Sequence, residues 1–259
     1  MVLSNVESEN FCKLCLRSTE LCGPLQRSHI IPRFIWMTVK DKGRYVSYST
    51  VRGSAELGQS DWKEEMLCLD CEQLISRKYE SYLKEILYRN QKEKLLVKLE
   101  GYFVMGGVES NRLSVALLSI LWRCLVTGVV EFNHIKLPDS FCDFIRVAVF
   151  TEGSAAAWQD VVRVRVVKIR DLSQGVRASF LWSGLLRRND SKSAIEIVLV
   201  LGSYCVVFLT PPLIVDAEWM KYSLKPRSRL LRVKIENYTE IVELNDMVVE
   251  MLKSKGIDG

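Results

Sequence analysis

The sequence predicts an α+β chain of two units: an N-terminal treble clef continued by a long helix (residues 1–100), and a C-terminal unit of helices packed on a mainly antiparallel sheet (101–259). Three observations predict it. Two Cys-x-x-Cys pairs bracket a run of strand and turn signals, a long stretch free of Gly and Pro opens on the second pair, and segments of alternating apolar residues dominate from residue 160 onward.

Composition sets the outer bounds. With 48% hydrophobic and 26% charged residues over 259 positions, the chain has ample material for a core and none of the bias of a disordered protein. A net charge of +5 and a pI of about 8.7 permit contact with a polyanion but do not mark a basic module. The N-terminus MVLSNVESENFCK carries acidic residues and no apolar secretory core, so the cytoplasm is the expected location. Residues 197–215 are uncharged over the length of a membrane span, yet Gly202 and Ser203 interrupt them, β-branched residues dominate, and Pro211 and Pro212 would break a helix. A buried hairpin, IEIVLVL then YCVVFLT, is the expectation, with no membrane partner.

Of the eight cysteines, Cys12 and Cys15 form one pair, and Cys68 and Cys71 a second. Two such pairs supply the tetrahedral sulfur cage that zinc prefers, so a structural Zn²⁺ is expected on these four thiolates. Cys22 lies close enough to compete. Cys124, Cys142 and Cys205 stand in apolar surroundings and read as core thiols.

Between the pairs, Ser28-His29-Ile30-Ile31 reads as a short strand stopped at Pro32, with Ser28 and His29 on opposite faces. KDKGRYVSYSTVRGS comes next, with a turn and the alternation of a returning hairpin strand. The second Cys pair opens a helix that the pattern continues to residue 100, with Asp70 placed to favour its first turn. Zinc knuckle, hairpin and helix in this order make the treble clef.

GYFVMGGVESN (101–111) marks the boundary between units, and Ser110 or Asn111 is placed to cap a buried helix over 111–127. Arg123 in that helix needs a partner, and an acidic residue of the long N-terminal helix is the expected one; an anion or nucleic acid is the alternative. His134 precedes another helix over 137–150 and is assigned no role. Strands are predicted in DVVRVRVVKIRD, with one apolar and one basic face, then in RASFLWSG, IEIVLVL, YCVVFLT and SRLLRVKIEN, before a closing helix LNDMVVEMLKSKG.

The elements CKLC, SHIIP and LCLDCE resemble the HNH endonuclease family over roughly residues 10–85. The resemblance implies metal-dependent hydrolysis of DNA, with His29 as the general base and a divalent Mg²⁺ or Mn²⁺ beside it. Glu72 falls where the family places a helix Asn or His and is the candidate metal ligand. Ser28 replaces the acidic or histidine residue that usually precedes the base, and Asp61, Glu64 and Glu65 are the candidates for the residue that orients it. Arg27, Arg33, Lys40, Lys42 and Arg44 are candidate phosphate contacts, with Trp36, Tyr45 and Tyr48 interleaved among them. DNA is the expected partner, RNA and self-association being alternatives. Two other functions stay open: a nuclease-derived nucleic-acid-binding module without catalysis, and a protein-interaction module scaffolded by zinc. In the third case His29 simply locks the hairpin.

Overall fold

The computed structural model describes residues 10–39, 45–49, 54–58, 61–89, 91–133, 137–153, 158–170, 180–189, 194–211 and 217–237. The chain begins with a tight knuckle. Cys12 N–H donates to Arg17 O and Leu16 N–H to Cys12 O, which forces Leu16 to φ +60°, a left-handed conformation uncommon outside glycine. After the single turn α1 (Thr19–Cys22), strand β1 (Leu25–His29) ends before Pro32, as the Ser-His-Ile-Ile-Pro string predicts.

The path of the chain beyond Pro32 differs from the sequence expectation. Pro32 starts a helix, α2 (Arg33–Val39), instead of leading into the return strand, and the segment with the alternation of a return strand forms its own antiparallel hairpin, β2 (Tyr45–Ser49) with β3 (Ser54–Gly58). The partner of β1 is β4 (Lys63–Cys68), which runs into the second Cys pair. The reason lies in what each strand can bury. In β4, Met66, Leu67 and Cys68 are fully buried, and Trp62 just before it stacks edge-on with Trp36 at 4.9 Å and with Phe132 at 5.1 Å. Trp36 is thus a core residue whose indole N–H donates to Ile31 O at 3.0 Å, and it is no stacking platform for bases.

A helix opens at Leu69 and runs through alternating α and π segments: α3 (Leu69–Leu74), Ile75–Glu80, α4 (Ser81–Lys84) and Glu85–Arg89, with α5 (Gln91–Lys94) beyond. The predicted continuation to residue 100 is a second correction. Leu95–Lys98 is a strand, β5, turned back at Leu99–Gly101 onto β6 (Tyr102–Met105). LLVKL satisfies strand and helix periods equally over so short a run, and cross-strand pairing decides between them.

Helix α6 (Ser110–Val126) is buried nearly all round, as expected, and packs against the Ile75–Glu80 segment and α7 (Asp139–Phe150). Neither Ser110 nor Asn111 caps it by a side chain: the N-cap position is Glu109, and Asn111 Oδ1 instead accepts from the Trp158 indole at 2.6 Å. Strands β7 (Arg163–Arg170), β8 (Phe180–Asn189), β9 (Ala194–Leu201), β10 (Tyr204–Thr210) and β11 (Leu231–Asn237) join the earlier hairpins in one sheet of order β3-β2-β8-β9-β10-β7-β11-β6-β5, with helix α8 (Ala217–Tyr222) before β11. Among the described residues only the β11–β7 and β2–β8 pairs are parallel, so the chain is α+β with a mainly antiparallel sheet. The expected IEIVLVL/YCVVFLT hairpin forms as β9 and β10, and among the described residues no helix is long and apolar enough to cross a membrane.

The basic face of β7 is engaged by neighbours. Arg165 lies 3.8 Å from Glu196 and over Trp219, while Lys168 donates to Ser203 and sits over Tyr204. A single cluster of buried side chains extends from Cys12 through α6 to Val233. The expected closing helix and His134 lie outside the described residues.

Candidate metal centre and histidine site

The knuckle and the β4–α3 corner bring Cys12, Cys15, Cys68 and Cys71 together with all four Sγ atoms within 4.8 Å of one another. Tetrahedral coordination at the usual Zn–S length of about 2.3 Å requires sulfur separations of about 3.8 Å, and Cys15 Sγ to Cys68 Sγ measures 3.9 Å. The donor set therefore fits a divalent metal ion. Cys22 Sγ is directed at the carbonyls of Arg17 and Gly23, apart from the four.

Electrostatics explains why such a cluster wants a cation. The Cys71 thiol, donating to Cys12, holds Cys12 down to about 4, and the same hydrogen bond together with burial pushes Cys71 far above its ordinary value. Burial raises Cys68 to about 11. Crowded thiols cannot ionise together without a compensating charge, and metal binding supplies it as the protons leave. Partial compensation is built in: Cys68 N–H donates to Cys12 Sγ at 3.3 Å and Arg17 Nε to Cys15 Sγ at 3.5 Å.

The cluster is clamped to the rest of the fold through Lys13 and Glu64. Lys13 N–H donates to Met66 O, and its ammonium reaches Glu64 and Val126 O. Glu64 also accepts from Thr127 Oγ1 and, at 2.7 Å, from Gly128 N–H. These donors hold its carboxyl below the ordinary value although burial opposes them.

His29 closes β1, largely buried, opposite Lys63 in the strand pairing. Its Nε2 lies 3.3 Å from Asp61 Oδ2, so of the three acidic candidates it is Asp61 that faces the imidazole while Glu64 serves the clamp. With Nε2 donating to the carboxylate, Nδ1 carries the lone pair. Burial, and then the Lys63 charge, set the His29 pKa below its ordinary value and favour the neutral ring, although Asp61 pulls towards the protonated one. The His29 carbonyl accepts from Arg123 Nη1 at 2.7 Å, and the same nitrogen meets Glu80 Oε1 at 2.7 Å. Glu80 is in the long N-terminal helix, so Arg123 finds the kind of partner that the sequence predicts.

On the opposite face of β1, fully buried Ser28 donates to Glu72 Oε2 at 2.6 Å. The strand places Ser28 against α3 and His29 against Asp61, by simple alternation. Among the described residues the four cysteines are the one group of three or more His, Cys, Asp or Glu able to hold a metal ion, so Glu72 and His29 do not belong to a second cluster of this kind. Arg27 and Arg33 are exposed; Lys40, Lys42 and Arg44 lie outside the described residues. The sequence offers Asp61 only as one of three options, and its adjacency to Trp62, which packs between Trp36 and Phe132, is the signal that could have singled it out. No protein-family model, no curated protein and no solved structure matches the chain.

Proposed function

We propose that the N-terminal region is a zinc treble clef of HNH type and that the protein is a metal-dependent endonuclease hydrolysing DNA phosphodiester bonds. The observation that carries this reading is the His29–Asp61 pair, set on a strand pair that leads directly into the four-cysteine cluster. A general base must be neutral before it acts, and burial with Lys63 keeps His29 so. Nδ1 takes a proton from the attacking water, and Asp61 steadies the imidazolium that forms. Glu72, with Ser28 on the face of β1 opposite His29, would offer its one carboxylate to Mg²⁺ or Mn²⁺ entering with substrate phosphates. Such an ion would supply positive charge to the bound phosphates. Exposed Arg27 and Arg33 are suited to neighbouring phosphates.

One observation favours the second reading, a nucleic-acid-binding module without hydrolysis. Ser28 stands in the position of a metal ligand, is fully buried, and has its hydroxyl engaged by Glu72 at 2.6 Å and by the Gln26 carbonyl at 3.3 Å. The test is plasmid nicking by zinc-loaded protein with Mg²⁺ or Mn²⁺. His29→Ala is expected to lose about 10²–10⁴-fold of the rate and Asp61→Asn about 10–100-fold, with Glu72→Ala abolishing the metal-dependent nicking. No nicking by the wild type, alongside salt-dependent DNA binding, selects the second reading.

A further inference from the structure

A cavity of about 590 Å³ opens at the N-terminus of α6, and none of the four cysteines lines it. Four basic side chains line it, Lys78, Arg112, Arg227 and Arg229, against the carboxylates Glu109 and Glu152. The carboxylates are occupied locally: Glu152 pairs with Lys78, and Glu109 lies 4.0 Å from Arg112. Among the described residues no carboxylate pairs with Arg227 or Arg229, and the cavity carries net positive charge.

Two independent features converge on this wall. The first is the helix terminus itself, the positive end of a 17-residue helix that no side chain caps. The second is Ser110. It is 1% exposed, it lines the cavity, and its hydroxyl has no hydrogen-bond partner, although its backbone N–H is satisfied by Ser228 O. Buried hydroxyls are nearly always bonded, so an O–H left without an acceptor, beside a positive helix end and two guanidinium groups that no described carboxylate pairs, suits an acceptor of negative charge. Arg227 belongs to a turn and is itself held at φ +59°, a strained conformation of the kind that clusters at ligand clamps.

We propose that this cavity binds the phosphoryl group of a small phosphorylated compound. Ser110 Oγ and the N–H groups of Asn111 and Arg112 in the first turn of α6 would donate to its oxygens, and Arg227 and Arg229 would neutralise it. The volume suits a ligand of mononucleotide size. The site is separate from the histidine: Ser110 and Arg123 lie on one helix about 20 Å apart at 1.5 Å per residue. The inference is independent of the nuclease reading, because it uses none of the residues assigned there.

Isothermal titration of the full zinc-loaded chain with inorganic pyrophosphate, and separately with adenosine monophosphate, in phosphate-free buffer tests it. Saturable binding at one site per chain is expected, weakened at least about tenfold in Arg227→Glu and in Arg229→Glu, both exposed positions. Ser110→Ala separates a ligand donor from a packing defect. The ligand-free variant should melt no lower than the wild type, because no bond is lost, while its affinity for pyrophosphate falls about fivefold or more. Three results overturn the proposal: no saturable heat with either probe, affinities unchanged in all three variants, or duplex DNA displacing pyrophosphate with DNA affinity falling in parallel in the Arg variants. The last would make the cavity part of a nucleic-acid surface.

Discussion

Replacing Arg123 by Met tests how the strand that carries His29 is held. The Arg123 side chain is 1% exposed and bonds Glu80, the His29 carbonyl and the Ser119 carbonyl. Met fills the space without the charge, leaving Glu80, itself only 19% exposed, without its cation. Breaking a buried pair from one side costs about 3–5 kcal/mol, and the partial exposure of Glu80 places this case near 3. In a chain of this size each kcal/mol lowers Tm by about 2–4 °C, so a fall of about 6–12 °C is expected. Glu80→Leu strands the more deeply buried partner and should cost at least as much. The double variant Arg123→Met/Glu80→Leu loses both charges at once and leaves chiefly the His29 carbonyl without its donor, a cost of about 1–3 kcal/mol. Urea denaturation of the four proteins at constant m-value gives the cycle. Costs in the double variant equal to the sum of the singles would refute the claim that the pair acts as a unit.

Metal analysis should find one zinc per chain, lost in Cys12→Ser and Cys71→Ser but retained in Cys22→Ser, whose sulfur faces carbonyls outside the cluster; loss of zinc in Cys22→Ser would reassign the ligands. His29 gives a pH signature of known sign. Its folded pKa is depressed, so below the unfolded value of about 6.5 the unfolded chain binds more protons, and stability falls as pH drops towards the folded value. Comparing the urea midpoints of the wild type and His29→Gln from pH 7.5 to 5 should show the wild type losing ground on the acid side, and parallel curves would contradict the depressed pKa.

Short-range chemistry is what the sequence makes legible. The two Cys pairs declare themselves by spacing, and β9 and β10 by β-branched runs around Gly202-Ser203. α6 shows itself by apolar residues all round, with Arg123 demanding an acid. Features that depend on residues far apart escape it. Alternation in 45–50 looks like that of any return strand and points to the wrong partner for β1, whereas β4 wins by burying Met66 and Leu67 beside Trp62. The β2–β3 hairpin instead extends the large sheet through β8, a pairing across more than a hundred residues that no local pattern encodes. The cavity at Ser110 is invisible for the same reason, since its walls come from four separated segments.

The segment DWKEE shows how the fold divides labour among neighbouring charges. Asp61 and Lys63 both reach His29, the first favouring its protonated form and the second opposing it, and their ammonium–carboxylate separation of 4.0 Å ties the two influences together. Glu64, next along the strand, turns the other way to join Lys13 of the knuckle to Thr127 and Gly128 after α6. Consecutive residues thus tune the imidazole and fasten the cysteine knuckle, each on its own face of β4. A one-residue shift in the β1–β4 register would exchange these faces, carrying Glu64 towards His29 and taking Lys13's counter-charge away. The register is held against that shift by buried Met66 and Leu67 and by the cysteines at the end of the strand, so the four-cysteine cluster and the histidine environment depend on one alignment.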